Sequence, residues 1–221
     1  MRRTLIMCLI AMLALAMIGF GFAKWSDSIA VNATVNTGDV DTSIAPGSPP
    51  VNDTGPDPQY GPGHNEEGKD VASITCVQGS DAKHITVAIT NAYPYYQPSF
   101  TFVIKSNGTV PVKIESIEGP NWSGALADWI KVAGWSFTVH NPASNGLPEF
   151  NRTVTSDATN STWEGLVEAI GHQQLHQNGT LTITVNLYIE EEVNGQLCPE
   201  NASAEGTITI NSAQWNEVSG V

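Results

Sequence analysis

Lys24-Trp-Ser-Asp-Ser-Ile-Ala-Val-Asn-Ala-Thr-Val-Asn-Thr-Gly-Asp-Val-Asp41 follows directly on a hydrophobic N-terminus and decides how the rest of the chain is read. Trp25, Ile29, Val31, Ala33 and Val35 fall on one face at period two, interrupted by Asp27, with Ser28, Asn32 and Thr34 on the other. That is the pattern of a half-buried β-strand. A strand next to a newly cut N-terminus needs a sheet to join. The expectation is a secreted protein that polymerises by donating Trp25, Asp27, Ile29, Val31 and Ala33, the donor strand of residues 24–33, to a neighbour.

Upstream of it, Arg2 and Arg3 open an almost wholly apolar run from Leu5 to Phe20, and small residues lead to Ala23. These are the parts of a secretory signal, which places residues 1–23 in a signal peptide cut after Ala23. A retained anchor is the alternative, since the apolar run approaches bilayer-spanning length. The membrane would then be a partner only through this segment, before cleavage, and the protein would work at the cell surface or outside the cell. Loss of Arg2 and Arg3 leaves seven basic against 22 acidic groups, a net charge of −15. Such a surface repels phosphate, so nucleic acid is not expected as a partner.

Cys76 and Cys198 remain once Cys8 leaves with the leader, and in an exported chain they are expected to form one disulfide. Two free thiols are the alternative, because their separation is not readable from sequence. Asn-x-Ser/Thr sites stand at Asn32, Asn52, Asn107, Asn121, Asn151, Asn160, Asn178 and Asn201. Composition alone predicts about three such sites, so the excess points to a glycosylated exterior. Asn and Thr placed for turns are the competing explanation.

Residues 34–221 are expected to form one domain. Residues 45–68, rich in Pro and Gly, read as an exposed loop. Strand alternation is expected at Val71 to Val77 and His84 to Thr90. A hairpin is expected across Ser99 to Ile117, turning at Asn107-Gly108, with Pro111 at an edge or at the start of its strand. Residues 122–176 are looser, with short helices near Ala125 to Val132 and from Trp163 to about His172. Leu181 to Ile189 and Gly206 to Gln214 alternate strictly. The sum is an all-β chain: an antiparallel jelly-roll β-sandwich with one or two short helices and an N-terminal donor strand, with an immunoglobulin-like topology as the alternative.

The two ends together resemble the TasA/camelysin family of secreted fibre-forming proteins. The similarity rests on the leader followed by Trp25-Ser-Asp27, on Thr34-Val-Asn-Thr-Gly-Asp-Val-Asp41, and on the terminal Ser212-Ala-Gln-Trp-Asn216. About 45 residues carry it closely. In character it is nearest to the archaeal bundling-pilus and cannula-type subunits. The resemblance implies a jelly roll whose mature N-terminal strand, here Trp25 to about Ala33, fills a groove in the next subunit. The function so implied is a structural subunit of an extracellular filament, pilus or tube, a homopolymer that connects cells or builds a biofilm and touches neighbouring filaments or the cell surface. A jelly roll short of one strand presents an apolar groove and unpaired backbone together, and an inserted strand satisfies both.

Chemistry is sparse. His172-Gln-Gln-Leu-His176 has the spacing of a zinc-protease helix, but Gln173 stands where the general-base Glu belongs, so no catalytic residue is assigned. The acidic groups Asp39, Asp41, Asp53, Asp57, Glu66, Glu67 and Glu190 to Glu192 suit calcium at subunit interfaces, though no EF-hand spacing appears and solvated acidic loops compete. No other cofactor is implied. Trp122, Trp129, Trp135, Trp163 and Tyr93 to Tyr96 could stack sugars, which keeps open a monomeric adhesive or glycan-binding domain as a second reading.

Overall fold

A computed structural model describes residues 2–21, 38–53, 72–144, 146–171 and 173–215. The chain divides into two units, residues 1–37 and 38–221. In the first, Arg2–Gly21 forms α1, whose side chains are described through Leu15 and are all exposed. Among the described residues no helix is long and apolar enough to cross a membrane. The segment expected as donor strand, Trp25, Asp27, Ile29, Val31 and Ala33 with Asn32, lies outside the described residues.

The second unit is mostly β. Its strands are β1 (Thr42–Asn52), β2 (Ser73–Gln78), β3 (His84–Ala92), β4 (Ser99–Ser106), β5 (Val112–Glu118), β6 (Ile130–Asn141), β7 (Phe150–Thr155), β8 (Gln174–Leu175), β9 (Thr180–Ile189), β10 (Glu192–Val193), β11 (Gln196–Leu197) and β12 (Ala202–Gln214), with helix α2 at Trp163–Ile170. Two five-stranded antiparallel sheets, ordered β1-β4-β9-β6-β7 and β2-β3-β12-β5-β8, enclose one core; β10 and β11 form a separate ribbon. Every buried apolar residue among those described lies between Ile44 and Ile210, so residues 38–221 contain the core of their own fold.

Register explains why alternation works. Phe102 stands opposite Ile183, Ile183 opposite Phe137 and Phe137 opposite Val154, giving one apolar rung across four strands. The adjacent rung, Thr101, Thr184, Ser136 and Thr155, is hydroxylated and points outward, with Thr101 Oγ1 and Thr184 Oγ1 3.0 Å apart. A one-residue slip would exchange the two rungs and expose Phe102, Ile183 and Phe137 together.

Several expectations change. Ser99 to Ile117 is not a hairpin: β4 and β5 belong to different sheets. The Asn107-Gly108 turn is satisfied by the incoming chain, Asn107 N and Gly108 N donating to Asp41 O at 2.8 and 3.1 Å, so the chain crosses the core instead of folding back. Residues 45–52 are not loop but the far half of β1, bulged between Pro46 and Val51. Pro46, Pro49 and Pro50 are tolerated there because β1 is an edge strand and needs no second row of donors. Pro111 directly precedes β5, as expected of a residue without a ladder donor.

β6 and β7 were hidden within the loose region. A bulge between Val132 and Gly134 reverses the phase of β6, so that Ile130 is buried before it and Trp135, Phe137 and Val139 after it. The short helix expected near Ala125 is a single 3₁₀ turn at Ala127–Trp129. α2 forms where its apolar spacing predicts and buries Leu166 and Ile170.

The expected Cys76–Cys198 disulfide is absent: both are buried free thiols. Cys76 stands opposite Val87, whereas the loop after Cys198 enters the sheet at Ala202 opposite Ala92. Cys198 stands four residues before that entry, its N donating to Glu191 O at 2.8 Å, outside the β2–β3 pairing that holds Cys76. Burial pushes the Cys76 thiol up to about 11 and raises Cys198 as well. Folded protein at pH 8 should therefore resist a thiol reagent that labels both residues at once after unfolding. Since the folded Cys76 pKa exceeds the unfolded one, its contribution to stability is complete below pH 9 and is lost as pH rises towards 11. Denaturant midpoints at pH 8 and pH 10.5 check the sign.

Candidate functional site

The two long sides of the sandwich differ. On one, β1 closes onto the second sheet: Ile44 N donates to Ala82 O at 2.8 Å and Gln78 Nε2 donates to Ile44 O at 2.5 Å. On the other, β5 pairs with β12 along its length but with β8 only at Val112 and Lys113. Among the described strands, none pairs the rest of that edge, Ile114 to Glu118.

Beside this edge lies a cleft of about 810 Å³, bounded by Ile117 and Gly119 to Trp122 from the end of β5, Ile130 to Val132 from β6, and Thr162, Trp163, Glu164, Val167 and Glu168 from α2. Glycine sets two of its contacts. A Cβ on Gly165 would stand 2.3 Å from Asn160 O, so only glycine lets α2 seat this close to the preceding loop. A Cβ on Gly206 would stand 2.8 Å from the Trp122 ring, which lies over β12 at that point. Thr162 caps α2, its Oγ1 accepting from Gly165 N at 3.1 Å, and Leu166 and Ile170 anchor the helix from beneath. The cleft thus has a packed floor and a mixed lining, apolar at Ile117, Trp122, Val132, Trp163 and Val167 and polar at Asn121, Lys131, Glu164 and Glu168. Lys131 in that lining donates to Asp128 O at 2.9 Å and lies 3.8 Å from Glu190.

The body begins at the other end of β5. Thr109 N donates to Asp39 O at 2.9 Å, and Gly38 lies against Val110. From Val112 to Glu118, β5 covers about 20 Å, so the point where residues 24–37 join the body and the cleft stand at opposite ends of the sandwich.

The other expected sites are dispersed. Asn52, Asn107, Asn121, Asn151, Asn178 and Asn201 are exposed, and Asn121 stands on the cleft lip; Asn160 is half-buried, its backbone O accepting from Trp135 Nε1 at 2.8 Å. Asp41 lies 3.1 Å from Lys83 Nζ, and Asp53 accepts from Ile74 N at 3.2 Å and Tyr96 OH at 2.6 Å. Glu191 accepts from Tyr95 OH. These carboxylates thus tie the fold together, and among the described residues no three His, Cys, Asp or Glu converge as a metal-holding group. Asp57, Glu66 and Glu67 lie outside the described residues.

The zinc-helix geometry is overturned. α2 ends at Ile170, Gln174 and Leu175 are strand, and His176 N donates to Asn141 Oδ1 at 2.9 Å; His172 lies outside the described residues. The aromatic residues are also split. Trp135 is buried in the core, Trp129 Nε1 donates to Gln196 O at 3.4 Å, Tyr96 is buried, and Trp122 and Trp163 line the cleft. Sequence reasoning missed Ile117, Val132 and Val167 as cleft walls. The one available signal was the Gly119-Pro120 break at the end of β5, which stops the strand at the cleft. Compared with known proteins, the chain matches no family model and no curated protein.

Proposed function

We propose that this chain is the structural subunit of an extracellular filament, pilus or tube, polymerising head-to-tail as Trp25 to Ala33 of one copy adds to the open edge of β5 in the next. The observation that carries the reading is that edge together with the partly apolar cleft beside it, walled by Ile117, Trp122, Val132, Trp163 and Val167. An unpaired edge and an apolar cleft at one place are what strand addition requires: main-chain hydrogen bonds hold the strand, and alternate side chains fill the cleft. Trp25, Ile29, Val31 and Ala33 are the filling side chains, and Asn32 points outward.

The opposite placement of Gly38 and the cleft supports growth in one direction. A donor leaving one end of a body and entering the other end of the next makes a contact that does not close on itself. Residues 1–23 act as the secretory leader in this reading, the sandwich is of jelly-roll type, and the exposed Asn-x-Ser/Thr sites carry glycans. Assembly needs no catalytic step. Calcium at the interface enters only as a condition to test, by comparing filament yield in calcium and in chelator.

Val167 on α2 is half-buried, packed against the rim of the core and forming part of the cleft wall. Val167→Arg should leave the thermal midpoint within a few degrees of the parent while filament mass, read by sedimentation, falls at least tenfold. Normal filaments from a folded variant would contradict the cleft assignment. Trp122 and Trp163 in one cleft favour the second reading, a glycan-binding surface domain. That reading expects oligosaccharides to change tryptophan fluorescence while the mature chain stays monomeric.

A further inference from the structure

α2 carries an arrangement that helix stability alone does not favour. Glu164 in the first turn suits the positive end of the helix dipole, but Glu168 lies towards the C-terminal end, which carries no basic residue. The two are spaced i,i+4, so their like charges face each other along one side, and both line the cleft. Neither has an ion-pair partner among the described residues. The cation in the lining, Lys131, is turned to Asp128 O and Glu190. A cleft with apolar walls at Ile117, Trp122, Val132 and Val167 and this negative edge complements a ligand with an apolar body and a cationic end.

The chain itself contains such a ligand. Cleavage after Ala23 hydrolyses the Ala23–Lys24 amide; water supplies the hydroxyl of the new Ala23 carboxyl group and a hydrogen to the Lys24 nitrogen, which becomes a protonated amine. The mature segment then begins with two adjacent positive charges, the Lys24 α-ammonium and its side chain, followed at once by Trp25. Before cleavage, that nitrogen is a neutral amide.

Building on the strand-donation reading, we propose that Glu164 and Glu168 bind the free N-terminal ammonium of Lys24 from a second copy, so that the cleft favours a cleaved chain over one that retains its leader. Leader removal then does more than release the subunit: it creates half of the charge that the cleft reads. The apolar residues fix the segment in the cleft, and the ammonium fixes which end of it lies against α2.

The test uses residues 38–221, which contain their own core, and two synthetic peptides of residues 24–34, one with a free N-terminus and one N-acetylated. Acetylation removes one of the two cations, and an exposed ion pair corresponds to roughly two- to fivefold in affinity. At low salt the acetylated peptide should bind that much more weakly. The difference should vanish on a Glu164→Gln/Glu168→Gln body and shrink in 0.5 M NaCl, and the circular dichroism of the variant should match the parent. Equal binding of both peptides to the parent body overturns the inference and leaves strand donation standing. If neither peptide binds, strand donation into this cleft fails and the inference fails with it.

Discussion

A mature chain that starts at Thr34 should stay a folded monomer at concentrations where residues 24–221 form filaments. The missing segment supplies Trp25, Ile29, Val31 and Ala33. Burying a tryptophan removes on the order of 200 Å² from water, about 5 kcal/mol at ~25 cal/mol per Å², and an isoleucine and a valine add about 2 kcal/mol each. The gross gain, about 9 kcal/mol before any ladder hydrogen bonds, is of the same order as the cost of association. Without it the bodies have no means of staying together. Every described core residue lies beyond Thr34, so the thermal midpoint should barely move. Size-exclusion chromatography with negative-stain microscopy reads the first outcome and a melting curve the second. Filaments from the short form would place the donor elsewhere in the chain.

The second large effect is on stability. Trp135 is fully buried, lies parallel to Phe137 with ring centroids 6.0 Å apart, and donates from Nε1 to Asn160 O at 2.8 Å. Trp135→Ala should cost about 3–5 kcal/mol. A domain of this kind is stable by roughly 5–15 kcal/mol, so the loss consumes a large share of the total. Trp135→Phe retains most of the apolar contact and removes the donor, leaving Asn160 O unpaired at a cost of about 1–3 kcal/mol. Urea midpoints should rank parent, Phe and Ala in that order. The same hydrogen bond links β6 to the loop that leads into α2, so both variants should also loosen the helix that walls the cleft.

Strands whose two faces meet different surroundings were legible in the sequence. β4, β9 and β12 alternate because one face meets the core and the other meets solvent, and their hydrophobic pattern shows this directly. β6 was not legible, since its bulge at Val132–Gly134 shifts the apolar set by one position and period-two matching fails across the break. The partner of a strand was not legible either. Asn107-Gly108 carries a strong hairpin signal, but the turn is held by Asp39 and Asp41 from outside it, and β5 goes to the opposite sheet. Local turn chemistry fixes where the chain bends and leaves open which sheet it joins.

The same distinction applies to the site. The proposed donor is a continuous segment, so its alternation can be read residue by residue in the sequence from Trp25 to Ala33. The cleft is assembled from Ile117, Val132 and Val167, far apart in the chain, and each looks like ordinary core filler when read alone. The Cys76 and Cys198 pair misled for a related reason: an even cysteine count says nothing of where the fold places the two thiols, and both are free and buried.

The most direct test of the central claim is to learn whose cleft the segment enters. The mature chain with Ile29→Cys and Val132→Cys, assembled and mildly oxidised, should give a ladder of covalent multimers on a non-reducing gel that collapses to monomer on reduction, while each single variant gives none. The native thiols, buried at Cys76 and Cys198, stay silent. A cross-linked species that runs only as a monomer would mean that the segment fills the cleft of its own chain, and would contradict polymerisation by strand donation.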